Sequence, residues 1–197
     1  MTPANSDSMP GPGVVTSVNL SPKKGMRKTR GTSATLELDR GFENDAHAGD
    51  WHRQVSLLAQ ESIDTMVAKG LDVGPGDFAE NITTSGIDLL ALPVGSVVRV
   101  GEGTLLEISQ IGKVCHAHCA IYFQAGDCVM PREGLFAVVR EASDVAVGDA
   151  VVVVSLGDGT CDRTPQEAID EFARERAAEA AAEASKAAAH ASSAKKE

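Results

Sequence analysis

Three cysteines and two histidines fall within fourteen positions, as Cys115-His116-Ala117-His118-Cys119 followed by Cys128. Thiolate sulfur and imidazole nitrogen are the ligands of zinc and of softer transition metals. A thiolate is also the nucleophilic form of cysteine, favoured by a nearby cation such as Lys113. The spacing Cys-x3-Cys-x8-Cys is not that of a zinc ribbon, and no second Cys-x2-Cys pair accompanies it. Three readings stay open on the residues alone. The cysteines and a histidine hold structural zinc, or they are small buried thiols, or one thiolate ligates a cofactor metal or carries sulfur.

Two further clusters carry charge. Asp45-Ala46-His47-Ala48-Gly49-Asp50-Trp51-His52-Arg53-Gln54 places two histidines, two aspartates and an arginine in a turn-rich loop. His47, His52 and Arg53 are the candidates there for contact with a ligand. The run Lys23, Lys24, Arg27, Lys28, Arg30 puts five cations in eight positions with no acid among them. In an acidic chain this reads as a local anion site, with Lys23, Lys24 and Arg27 as its candidates; a solvated turn is the alternative. Gly74-Pro75-Gly76-Asp77-Phe78-Ala79-Glu80-Asn81 is a rigid loop whose Asn81 amide either meets a heterocycle edge or caps a turn.

The elements that must position these residues read mainly as β. Strands are expected at Val14–Val18, Thr35–Leu38, Gln54–Leu58, Ser96–Val100, Thr104–Gln110, Leu135–Arg140 and Asp149–Ser155, with Gly101-Glu102-Gly103 joining two of them in a hairpin. One helix is expected over Gln60–Lys69, closed by Gly70. Many short strands with few helices favour a β-barrel. Residues 1–13 read as a disordered leader, 14–156 as the barrel and 164–197 as an Ala/Glu-rich helical tail capped by Thr164. A net charge of −10 and 4% aromatics argue against nucleic-acid binding. The chain shows no apolar run of membrane-spanning length and no signal peptide, so a cytoplasmic location is expected.

Four stretches together resemble a stand-alone MOSC domain, the module found at the C-terminus of molybdenum cofactor sulfurases. They are Asp45–Gly49 with His52–Leu58, Phe78–Thr83, Gln110–Cys119 and Gly126–Phe136, closed by Val147-Gly148-Asp149. The resemblance spans about Val14–Leu156 and implies a mixed, mostly β barrel that binds the molybdenum cofactor, a phosphate-bearing pyranopterin dithiolene. It places the metal-ligating, chemically active thiolate on Cys119, ahead of Ala120-Ile121, with Cys115 and Cys128 as helpers. Lys23, Lys24, Arg27, His47, His52, Arg53, Asn81 and Lys113 are the residues that would contact the cofactor. The chain departs from the pattern at Asn44 and Ala79, both usually glycine, and it lacks an arginine that longer relatives carry near Ala79.

The resemblance implies a carrier or maturation factor in which Cys119 ligates molybdenum or passes a persulfide sulfur by thiol exchange. A sulfur-donor protein and an acceptor molybdoenzyme would then be its partners. The alternatives are a molybdenum-dependent reductase of N-hydroxylated compounds and a structural-zinc barrel for protein contact.

Overall fold

The computed structural model describes residues 10–114, 120–126 and 128–171, with 173, 174, 177, 178 and 181. Strand β1 (Gly13–Leu20) leads into β2 (Thr29–Gly31), β3 (Ser33–Glu37) and the two-residue β4 (Gly41–Phe42). Then come β5 (Val55–Ala59), helix α1 (Gln60–Ala68), β6 (Ile82–Ser85), β7 (Val97–Val100) and β8 (Thr104–Ile111). Two short helices, α2 (Ala120–Ala125) and α3 (Met130–Glu133), precede β9 (Leu135–Glu141), β10 (Asp144–Ala146) and β11 (Ala150–Ser155).

Seven strands close a barrel in the order β11-β7-β8-β9-β5-β6-β1, and the ring is completed by Gly13 opposite Val151 and Val14 opposite Ala150. Closure leaves these strands no open edge in the ring. The β5–β6 pair is parallel, which requires a crossover, and α1 supplies it. The other barrel pairs are antiparallel. Strands β10, β3 and β4 form a small second sheet.

Side-chain alternation explains two apolar runs in the sequence. In β5 Leu57 points into the barrel core with Val15, Ile82, Ile108 and Val139, whereas Leu58 faces the other way. In β9 Leu135 and Ala137 point inward and Phe136 outward. The outward residues are covered by Ile63 and Met66 of α1, Ile121 of α2 and Met130 of α3, which form a second apolar cluster with Cys128 and Phe78. Strands buried on both faces read as continuous hydrophobic runs. On β11 only one face is covered, and the alternation returns: Val151 and Val153 are buried, Val152 and Val154 about 40% exposed.

All seven expected strands and the helix are present, within two residues at their ends. The Gly101 hairpin forms as read, with φ +63° at Gly101. The short elements β2, β4, β6, β10, α2 and α3 were not expected. Residues 166–171 are helical and belong to a compact unit separate from residues 1–164. Thr164, expected to cap that helix, donates its hydroxyl proton to the Ser109 carbonyl at 2.6 Å. Residues 1–9 of the leader lie outside the described residues. No helix among the described residues is long and apolar enough to cross a membrane.

Candidate functional site

The site is built on loops that the barrel strands leave behind, and a network of hydrogen bonds fixes them to one another. At its centre lies an ion pair between Lys28 Nζ and Asp45 Oδ2, 2.5 Å apart, with the Lys28 side chain fully shielded from solvent. Asp45 Oδ2 also accepts from the Ser21 amide at 3.0 Å, and Oδ1 from the His47 amide at 3.0 Å. The Ala46 amide returns a bond to the Ser21 carbonyl. The loop after β1 is therefore stapled to the loop before β5. Burial opposes ionisation of Asp45, but His47, Lys28 and the Ser21 amide outweigh it and hold the carboxyl well below the usual carboxylate range. Burial lowers the Lys28 ammonium, with the nearby Lys113 charge acting in the same direction and Asp45 opposing both. A third loop joins through the Lys28 amide, which donates to the Gly76 carbonyl at 2.8 Å.

This geometry revises the cation run. Lys28 is a buried member of the frame, Arg27 pairs with Asp77 at 3.2 Å, and Arg30 Nε donates to the Pro75 carbonyl. Two of the five cations are thus opposed by acids distant in sequence, and a third by a backbone carbonyl. Lys23 and Lys24 remain at the surface, and the Lys24 ammonium stands 5.4 Å from the Trp51 ring centroid. The Arg53 guanidinium lies 4.8 Å from the same ring and 5.6 Å from that of Phe136. Such cation–π contacts orient a charge without neutralising it. Trp51 is itself fixed, since its Nε1 donates to the His47 carbonyl at 2.8 Å.

His52 sits edge-on to Trp51, and its Nε2 is 2.9 Å from Gln110 Oε1. Gln110 Nε2 donates to the Gly112 carbonyl at 2.7 Å, and the Ser109 hydroxyl donates to the His52 carbonyl. These contacts tie the His52 loop to the end of β8, where the cysteine segment begins. The two feet of that segment are tied together, Gly112 to Gly134 and Lys113 to Pro131 through their backbones. Cys115 and Cys119, like the two histidines between them, lie outside the described residues. Cys128 is buried in the second apolar cluster with Ile121 and Phe136. His47 Nδ1 approaches both Asp45 and Lys28 at 3.4 Å.

Asn81 is placed in the frame. Its Oδ1 accepts from the Ser56 amide and hydroxyl, its Nδ2 donates to the Asn19 carbonyl, and it is buried. Beside it Glu80 is fully buried, with Oε1 accepting from the Gly76 amide and the Thr83 hydroxyl. Burial raises the Glu80 pKa, and its Oε2 has no partner among the described residues. Asn44 and Ala79, the two positions where glycine is usual, both take left-handed backbone, at φ +61° and +66°.

A sequence profile of the MOSC domain matches residues 44–152, more than half of the chain. The chain belongs to the MOSC domain family. MOSC proteins are a family associated with the molybdenum cofactor. Solved structures similar to the MOSC barrel include the following. The YUAD protein from Bacillus subtilis aligns with a TM-score of 0.62 at 16% identity, over 72% of this chain and 95% of that one. YiiM from Geobacillus stearothermophilus aligns at 0.59 and 16%, over 82% and 98%. YiiM from Escherichia coli aligns at 0.52 and 21%, over 82% and 76%. At these identities the likeness is one of fold. No curated protein matches the chain in sequence.

Sequence reasoning missed Lys28 as the buried hub, Trp51 as the cation holder and Gln110 as the partner of His52. Nothing in the sequence separates Lys28 from its four neighbouring cations. Gln110 did leave a signal, because Ser109-Gln110 interrupts the alternation of an otherwise apolar strand end. Among the described residues, Glu107, Cys161 and Asp162 form a cluster with metal-ligand chemistry. Arg140 already bridges its two carboxylates.

Proposed function

We propose that this MOSC barrel binds the molybdenum cofactor and acts in its sulfuration, transfer or maturation, with Cys119 as the thiolate or persulfide at the metal. The observation that carries this reading is that Lys24 and Arg53 both stand against the Trp51 ring, on a loop whose His52 is tied through Gln110 to the foot of the cysteine segment, where Lys113 lies. An ammonium and a guanidinium held against one ring in a chain of net charge −10 fit a phosphate-bearing ligand. Lys24, Arg53 and Lys113 would hold the phosphate end. His47 and His52 would line the site, and Lys28 and Asp45 would keep its loops in register. When bound, the cofactor supplies a dithiolene-held metal whose ligand set a protein thiolate completes. A thiolate suits a soft metal, and as a persulfide it delivers sulfur by exchange with another thiol.

The test is elemental analysis and pterin fluorescence after oxidation, on protein purified anaerobically. Molybdenum and pterin are expected in wild type. Cys119→Ala loses molybdenum while remaining folded. Lys24→Ala and Arg53→Ala weaken pterin retention by about ten- to a hundred-fold each, the range for one lost charge-assisted hydrogen bond. Stoichiometric zinc with no pterin would sink the reading.

A further inference from the structure

We infer that His52 presents a lone pair at Nδ1 as the proton acceptor of this site, and that Gln110 is the positioning residue that holds it in that tautomer. The inference rests on the ligand-binding reading above and deepens it, by naming the group that meets a protic N–H or S–H of the ligand.

The geometry leaves one consistent assignment. A backbone carbonyl only accepts, so the Gln110 atom 2.7 Å from the Gly112 carbonyl is the amide nitrogen. The amide oxygen therefore faces His52, and it too only accepts. The His52 Nε2 at 2.9 Å must carry the hydrogen. In a neutral imidazole the other nitrogen is then the base, and no described residue donates to or accepts from Nδ1. The ring has little freedom to turn over. Trp51 stands edge-on at 5.9 Å, and the backbone of His52 is held by the Ser109 hydroxyl.

The environment keeps this base unprotonated at neutral pH. Burial lowers the His52 pKa, the Gln110 bond opposes it, and the neighbouring Arg53 charge lowers it further. Among the described residues, Arg53 is the charged group that acts on His52. Proton uptake at Nδ1 gives an imidazolium that keeps its Nε2–H bond to Gln110 and stands beside the Arg53 guanidinium. That repulsion favours handing the proton on. Asp45 and His47 belong to a separate network, centred on Lys28.

The experiment uses the full chain labelled with 15N-histidine, titrated by NMR, with His52→Ala to assign the signal. Wild type is expected to show His52 as the neutral Nε2–H tautomer at pH values where an ordinary histidine, with a pKa of about 6.5, is already half protonated. Gln110→Leu converts it to a tautomer mixture. The near-isosteric Gln110→Glu raises its pKa above that of wild type, and it carries the test if the leucine variant does not fold. Carbethoxylation mapped by mass spectrometry reads access to Nδ1. At pH about 6, His52 is expected to react at least several-fold faster in wild type than in Gln110→Glu. A Nδ1–H tautomer, an ordinary titration indifferent to Gln110, or an unreactive His52 would overturn the inference. Molybdenum and pterin content report on the cofactor reading, and the His52 signals report on this one, so either can fail alone.

Discussion

Lys28 and Asp45 are both sealed from water, so removing either one strands the other. The two losses are not equal. Without Asp45 the Lys28 ammonium is an uncompensated buried charge, and Asp45→Ala is expected to cost about 3–5 kcal/mol in urea unfolding. Without Lys28 the carboxylate still accepts from the Ser21 and His47 amides, so Lys28→Met costs less. The pH dependence follows from the same bonds. The folded-state pKa of Asp45 lies below its ordinary 3.8, so its contribution is complete above that value and is lost as pH falls toward the folded one. His52 acts in a higher window. Its folded pKa lies below 6.5, the unfolded chain takes up the proton first, and stability declines as pH drops below 6.5 until the folded value is reached. The acid limb of the stability curve should flatten below pH 3.8 in Asp45→Asn, measured by chemical denaturation at a series of pH values.

The loops between strands are shaped by backbone positions that side chains tolerate badly. Ala79 stands at φ +66°, where an L-residue with a Cβ is strained and glycine is not. Ala79→Gly is expected to raise stability by about 1 kcal/mol, a gain readable as a higher melting temperature. Asn44, at φ +61°, is the better tolerated departure from glycine, since asparagine visits this region readily. Gly76 is the opposite case. It has φ +88°, and a Cβ there would lie 2.5 Å from the Lys28 carbonyl, so Gly76→Ala should cost at least about 1 kcal/mol and disturb the Lys28 loop. These positions explain why a sequence pattern of glycines marks this site: the chain must turn sharply where loops meet.

At the scale of the molecule, the segment after β11 folds back on the barrel. Gly157 donates to Ser96, and Thr164 to the Ser109 carbonyl. Arg163 pairs with Asp39 at 3.0 Å and with Asp50, so this segment also braces the loop that carries Trp51 and His52. Removing both of its ion pairs with Arg163→Ala should lower barrel stability slightly, as expected for exposed pairs, read as a lower melting temperature by differential scanning calorimetry.

The sequence by itself determined the barrel, because period-2 alternation and the doubly apolar runs of β5 and β9 follow from local burial alone. It also marked the cation run and the His/Trp/Arg loop as chemically loaded. Periodicity did not reveal β6, Ile82–Ser85, because its polar Thr83 and Thr84 are fully buried and so break the apolar pattern of a covered strand. Thr83 is accommodated by hydrogen bonds to Asn19 and Glu80, partners far apart in the chain or in a loop. Tertiary structure alone decided which cations are spent and which remain available. Arg27, Lys28 and Arg30 are matched by Asp77, Asp45 and Pro75, each at least 17 residues away in sequence. Pairing of this kind, to a carboxylate or to a backbone carbonyl, depends on distance in space, which closure of the barrel sets and local composition does not encode.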